Sequence, residues 1–238
     1  MQQTDIKASQ ILMKKTVAEE AVNKYIKDNM VVGLGTGSTS YYAISKIGEL
    51  ASNGYDLTCI ATSKQSEMLA KSFGLKISNI DEVTRIDITI DGADEVDSKM
   101  HILKGLGGAL LREKIVASST LKEIIIVDSN KLVRKLGTKA PLPVEVVPFG
   151  HCYTCNALKK LGCEPELRKI NGIPFTTDNG NYIYDCAFNN GIDDPYRLES
   201  DINNIVGVIE NGLFLNIAHE VLVCDERKNI TSIQRPHA

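Results

Sequence analysis

Nowhere in the 238 residues do lysines and arginines run together in a block of five or six, and the formal net charge is −3. The electrostatic footprint of a nucleic-acid binder is therefore missing, so an anionic ligand would have to be bound locally. No stretch approaches 18 consecutive apolar residues, which excludes an expected membrane-spanning helix. The opening Met1-Gln2-Gln3-Thr4-Asp5 lacks the basic and apolar regions of a signal peptide. No partnership with nucleic acid or membrane is expected, and the predicted location is the cytoplasm. Internal repeats, low-complexity tracts and long linkers are also missing. The six cysteines are scattered, and without a secretory signal they are expected to be reduced thiols. In His151-Cys152-Tyr153-Thr154-Cys155 a Cys-x-x-Cys pair stands without a second such pair or a close pair of histidines, so no zinc site is expected. The three-residue spacing instead predicts that Cys152 and Cys155 share one face of a helix as small buried groups.

What is present is a composition that is 43% hydrophobic, enough for a substantial core in one large domain with a smaller second unit. Helical spacing of Ile11, Ala18, Ala21, Val22, Tyr25 and Ile26 predicts an amphipathic helix over residues 5–29. A short apolar run over residues 30–35 then closes on Gly35-Thr36-Gly37-Ser38-Thr39, and Tyr42, Ile44, Ile47 and Leu50 suggest a following helix. Strands are expected over residues 57–62, 75–80 and 86–91, with a helix over 63–73 ended by Gly74. Residues 123–128 carry the unbroken Ile-Ile-Ile-Val of a strand buried on both faces. This alternation predicts an α/β fold, a mostly parallel, Rossmann-like sheet flanked by helices. Past residue 130 the prolines Pro141, Pro143 and Pro148, a helix ending near Leu161 and strands over 163–169 and 182–188 predict a smaller α+β domain. There Thr177-Asp178-Asn179-Gly180-Asn181 would join two strands as a hairpin. The apolar runs at 206–215 and 221–224 are expected to rejoin the first sheet, dividing the chain into 1–130 with 207–238, and 131–206.

The turn at Gly35 lacks the Walker lysine, and its glycine spacing is not that of a dinucleotide fold. Converging backbone N–H groups, the hydroxyls of Ser38 and Thr39 and a helix N-terminus suit a single phosphate, although a plain strand-to-helix turn uses the same residues. Asp91-Gly92-Ala93-Asp94 falls where a strand should end, the edge at which open α/β sheets bind ligands. Asp97 and Glu95 are read as turn residues bonding to their own backbone, and the EF-hand pattern is missing. Lys104 precedes Gly105-Leu106-Gly107-Gly108, a turn flexible enough to wrap a ligand. On a helix from residue 108 to about 118, at about 100° per residue, Ala109, Leu110, Val116 and Ala117 flank Glu113 on one side. Leu111 and Ile115 take the opposite side, with Arg112 and Lys114 between, so the helix should be buried nearly all round. A carboxylate so placed is desolvated, which raises its pKa toward the range of a general base. The other reading is an exposed glutamate paired with its basic neighbours.

In this order, Gly35-Thr36-Gly37-Ser38-Thr39, Asp91-Gly92-Ala93-Asp94-Glu95, Lys104 to Lys114, Leu142-Pro143-Val144-Glu145-Val146 and Thr177-Asp178-Asn179-Gly180-Asn181 resemble the landmarks of the ribose-5-phosphate isomerase type A family. The resemblance spans nearly the whole chain. It implies an aldose-ketose isomerase of the non-oxidative pentose phosphate pathway that takes a small-molecule sugar phosphate, uses no cofactor and no metal, and forms a homodimer or homotetramer. By position it implies Glu113 as general base, with Asp91, Asp94 and Lys104 as further catalytic residues. The implied substrate-binding residues are Thr36, Gly37, Ser38 and Thr39, then Asp91, Gly92, Ala93 and Asp94, then Lys104, Gly105, Leu106 and Gly107, and Lys131. A phosphate-contacting lysine falls on Lys14, with Lys15 as the alternative register. Leu106 departs from the glycine or polar residue expected there, which leaves a backbone contact. The competing classes are a sugar-phosphate sensor, for which Glu113 has no use, and an amino-sugar-phosphate deaminase or acyl-CoA transferase of similar architecture.

Overall fold

The computed structural model describes residues 2–234, with side chains from Lys7 onward. The chain opens with α1 (Gln2–Tyr25), β1 (Val31–Leu34), α2 (Ser40–Ser52), β2 (Thr58–Ala61), α3 (Lys64–Ser72), β3 (Lys76–Ile77) and β4 (Ile88–Asp91). It continues through β5 (Glu95–Val96), β6 (Ile102–Leu103), α4 (Leu110–Ser118), β7 (Glu123–Asp128), β8 (Leu142–Val146) and α5 (His151–Lys159). Then follow β9 (Glu164–Leu167), β10 (Lys169–Ile170), β11 (Ile173–Pro174), β12 (Tyr182–Ala187), α6 (Pro195–Asn203), β13 (Val208–Asn211), β14 (Leu213–Phe214), β15 (Glu220–Cys224) and β16 (Ile230–Gln234). None of the described helices is long and apolar enough to cross a membrane.

The chain divides into two compact units, Met1–Ala93 with Arg112–Lys131 and Ile217–Ala238, and Asp94–Leu111 with Leu132–Asn216. The sequence expectation kept residues 94–111 and 207–216 with the α/β domain. Their strands account for the difference, because β6 pairs with both β5 and β14, and β13 pairs with β8. Of the two late apolar runs, only the one forming β15 rejoins the first sheet.

The first unit holds a seven-stranded sheet in the order β16-β15-β7-β4-β1-β2-β3, parallel except at β16. One face is sealed by Val17, Ala21 and Val22 of α1 and Ala43, Ile44 and Ile47 of α2 against Val32, Leu34, Ile90, Ile124 and Ile126. On the other, Val116 of α4 packs with Ile60 and Ile86. Burial of every residue of β7 explains its uninterrupted apolar run. Helix α3 starts on a reciprocal cap in which Ser63 accepts from the Ser66 N–H and Ser66 from the Ser63 N–H.

The second unit holds the antiparallel sheet β13-β8-β12-β9, the small sheet β14-β6-β5 and the ribbon β10-β11. Leu142, Val144 and Val146 of β8 face a core with Leu158, Tyr184, Cys186 and Ile202. The two strands expected to pair there, β9 and β12, do pair antiparallel, but the connection between them carries the β10–β11 ribbon as well as the turn at residues 177–181, so it is longer than a simple hairpin loop. Cys152 is exposed and Cys155 half-buried, contrary to the expected buried pair, because the apolar face of α5 is made by Leu158 and its neighbours. All six cysteines are free thiols.

Candidate active site

In the first unit β1 pairs with β2 on one side and β4 on the other, so the strand order reverses at the β1–β4 seam. Open α/β sheets bind ligands outside the carboxyl ends of the strands at such a point. Here those ends carry the Gly35 turn, Asp91 and, after β7, the short helical turn Ser129–Lys131. The Gly35 N–H continues the sheet by donating to the Ile90 carbonyl at 3.1 Å. Asp91 Oδ1 then ties the turn to β4: it accepts from the Thr36 N–H at 3.0 Å, the Gly92 N–H at 2.7 Å and the Ser40 hydroxyl at 3.1 Å. Thr36 Oγ1 is also engaged, 2.7 Å from Thr62 Oγ1 and 2.8 Å from Ser63 Oγ. Thr36 is thus a brace of the turn. The outward groups are the exposed Gly37 and Ser38, beside a cleft of about 350 Å³ lined by Gly35, Ser38, Tyr41 and Ser66.

The two candidate lysines of α1 have different partners. Lys14 Nζ donates to Ser38 Oγ at 2.9 Å, whereas Lys15 Nζ lies 3.7 Å from Glu19 one helical turn away. Lys131 is half-buried, and Thr39 precedes α2 with its side chain buried. Glu113 is only 5% exposed, and Ala109, Leu110, Val116 and Ala117 around it are buried. The expectation of burial all round fails at Ile115, which is 47% exposed and gives the helix one wet side.

In the second unit the β5–β6 hairpin brackets Asp94 and Lys104. The Asp94 N–H donates to the Leu103 carbonyl at 2.8 Å, and the Lys104 N–H donates to the Gly212 carbonyl at 2.9 Å. Lys104 is buried with its ammonium 5.6 Å from the Phe214 ring centroid, within cation–π range. Asp94 Oδ2 accepts the Leu106 N–H at 3.0 Å, which folds the glycine turn back toward the aspartate. Gly105 and Gly108 both take positive φ, +106° and +80°, where a side chain would be strained. Asp97 is the expected turn residue, accepting the Lys99 and His101 N–H groups at 2.9 Å each. Glu95 is not: its buried carboxylate accepts N–H groups of Gly137, Lys139 and Ala140, far away in the chain.

The sequence reading missed the hydroxyl cluster of Thr62, Ser63 and Ser66 behind Thr36, whose one visible signal is the Ser-x-x-Ser cap of α3. It also missed Arg168, which donates to the carbonyls of Gly105 and Leu106 and lies in no motif.

A glycine turn, an acidic strand end and a basic turn at the reversal point of a parallel sheet are the layout of an α/β enzyme for a small polar ligand. The profile of the ribose 5-phosphate isomerase A (phosphoriboisomerase A) family matches residues 58–228. The ribose-5-phosphate isomerase A of Gloeobacter violaceus is 48% identical over 216 residues, 90% of this chain and 93% of its own. The solved ribose 5-phosphate isomerase from Plasmodium falciparum superposes with a TM-score of 0.93 at 38% identity, over 95% of this chain and 100% of that one. A D-ribose-5-phosphate isomerase solved in complex with phospho-erythronic acid gives 0.89 at 42% identity, over 94% and 98% of the two chains. The chain belongs to the ribose-5-phosphate isomerase A family, and its activity is that of this isomerase of the pentose phosphate pathway.

Proposed function

We propose that the chain interconverts D-ribose 5-phosphate and D-ribulose 5-phosphate through an enediolate, with Glu113 as the single base. The observation that carries this is the near-complete burial of the Glu113 carboxylate on the helix that follows the Lys104 turn. In the open-chain aldose Glu113 takes the proton from C2, and the electron pair becomes the C1–C2 double bond of the enediolate. The same carboxyl then returns the proton to C1, while the hydroxyl proton of O2 passes to O1, leaving the ketose. One proton moves between carbons and one between oxygens. No electron leaves the sugar, so the chemistry calls for no redox cofactor.

Lys104 stabilises the oxyanion that develops as C2 is deprotonated. Asp91 and Asp94 hold sugar hydroxyls and assist ring opening, Asp91 doing so from a carboxylate already fixed through Oδ1. Ala93 and Gly92 between them, with Gly105, Leu106 and Gly107, offer backbone contacts. Lys14, Gly37, Ser38, Thr39 and Lys131 anchor the phosphate, and the 2.9 Å contact of Lys14 with Ser38 supports their acting together. Remote anchoring of this kind places the reacting carbons for proton transfer. Phospho-erythronic acid, which one structural relative was solved with, supports the same reading: a carboxylate on a phosphorylated chain has the charge distribution of an enediolate.

The test is Glu113→Gln, which keeps shape and removes the base, assayed with ribose 5-phosphate beside glucosamine 6-phosphate and acyl-CoA controls. Turnover should fall about 10²–10⁴-fold with KM largely kept. Near-parental turnover would refute the role of Glu113, and turnover of a control substrate would point to the other enzyme classes. As working states we expect a cytoplasmic homodimer or homotetramer. Phe149, Tyr153 and Val206 of the second unit are 93%, 83% and 94% exposed, an apolar surface that a second copy would cover.

A further inference from the structure

Glycine at position 105 leaves the backbone after Lys104 free to take more than one course, yet the peptide joining Gly105 to Leu106 is held at both ends. Its N–H donates to Asp94 Oδ2 at 3.0 Å. Its carbonyl accepts from Arg168 Nη1 at 3.0 Å, and the same nitrogen reaches the next carbonyl, of Leu106, at 3.1 Å. Arg168 is itself fixed from behind. Nε donates to Asp185 Oδ2 at 2.9 Å and Nη2 donates to Asp185 Oδ1, a two-pronged pairing that sets the plane of the guanidinium. The Arg168 N–H donates to the Ile183 carbonyl and its carbonyl accepts from the Phe175 N–H, both at 2.9 Å. Phe175 in turn presses on the far end of the turn, where a side chain at Gly108 would meet its ring at 2.4 Å.

We propose that Arg168 is a positioning residue of the isomerase: by holding the carbonyls of residues 105 and 106 it fixes the direction in which Lys104 and its glycine turn meet the sugar. This rests on the role given to Lys104 above. A guanidinium is required because one group must satisfy a carboxylate on one edge and two carbonyls on another. An ammonium is a point donor and cannot span both. With the clamp gone, the Gly105–Leu106 peptide keeps its bond to Asp94 and the Gly108 N–H, 3.0 Å from its carbonyl, but Gly108 belongs to the same turn, so the turn can pivot as a whole on Asp94, carrying the Lys104 backbone with it.

The experiment is steady-state kinetics on Arg168→Met, Arg168→Lys, Lys104→Met and the Arg168→Met/Lys104→Met double variant, each checked for parental far-UV circular dichroism. Arg168→Met should lower kcat about 10–100-fold while KM moves less than about 3-fold, the pattern of a misplaced group that acts in the transition state. Arg168→Lys should recover little of the loss. In the Lys104→Met background, Arg168→Met should cost less than about 3-fold more, because both changes remove the same contribution. Parental kcat in Arg168→Met, or equal losses in both backgrounds, would overturn the proposal. If Arg168→Met does not fold, Arg168→Lys decides, and parental kcat there would overturn it equally. Parental turnover in Lys104→Met would instead remove the role of Lys104, an outcome told apart because it is read without any change at Arg168.

Discussion

Replacing Gly35 by alanine tests how the phosphate-type turn is built. A Cβ at this position would stand 2.1 Å from Asp91 Oδ1, 2.4 Å from its Cγ and 2.6 Å from its Cα. The carboxylate can swing aside, but the Cα belongs to β4, whose parallel pairing with β1 runs through Leu34 and Ile90. Swinging the carboxylate takes Oδ1 from the N–H groups of Thr36 and Gly92. Each buried donor left without a partner costs about 1–3 kcal/mol, and overpacking costs about 1–3 kcal/mol more. These overlap, so the expected total is about 3–5 kcal/mol, or about 10 °C in Tm for a chain of this length. Gly37→Ala is the control. Gly37 has φ of +114° with nothing within 4 Å of its would-be Cβ, so only backbone strain is paid, about 1–2 kcal/mol. Urea denaturation followed by far-UV circular dichroism reads both. Refutation would be Gly35→Ala within about 1 kcal/mol of the parent or less harmful than Gly37→Ala.

Two further outcomes follow from places away from that turn. Burial alone would push the Glu220 carboxyl up, but the Tyr25 hydroxyl, Ser232 and Lys24 outweigh it and hold the pKa down to about 2. Ser232 donates at 2.7 Å and Lys24 at 3.2 Å, while the buried Tyr25 hydroxyl acts as a nearby dipole without a bond of ordinary geometry. A depressed carboxylate stabilises the fold fully above its unfolded pKa near 4.5 and loses that contribution as pH falls toward 2. Glu220→Gln should therefore cost about 2–3 kcal/mol near pH 7 and less than half of that near about pH 3, measured by urea midpoints; a difference that does not change with pH would contradict it. For assembly, Phe149→Glu with Val206→Glu should lower the mass seen by light scattering toward that of a monomer, and an unchanged mass would remove this surface from the interface.

The first unit was legible because its residues obey simple periods. The buried run of β7 and the 3.6-residue spacing of α1 from Ala18 to Ile26 each state their environment directly, although Ile11 on the same spacing is exposed. The second unit was less so. The two-residue strands β5, β6 and β14 are too short to show any period, so the segment carrying Asp94 and Lys104 read as loop although it is a sheet. Helix α6 went unseen because its apolar stripe is thin, with Ile202 its buried residue, although Asp194 caps it and Pro195 opens it. Among site residues, carboxylates next to glycines stood out. Arg168 did not, because an arginine at a strand end declares itself only through partners 17 and about 60 residues away.

Both glycine turns pose the same physical problem, and the chain answers it the same way. Glycine admits close approach but specifies no single path, so each turn needs a charged group to choose its conformation. For the first turn that group is Asp91, an acceptor for the Thr36 and Gly92 N–H groups. For the second it is a pair of opposite sign, with Asp94 on the N–H and Arg168 on the carbonyl of one peptide. The two aspartates proposed to act in the chemistry are thus also the ones that shape the turns beside them. It follows that loss of activity in an Asp91 or Asp94 variant cannot by itself be read as loss of a proton carrier. Asparagine retains the acceptor oxygen and so separates the two contributions, whereas alanine removes both.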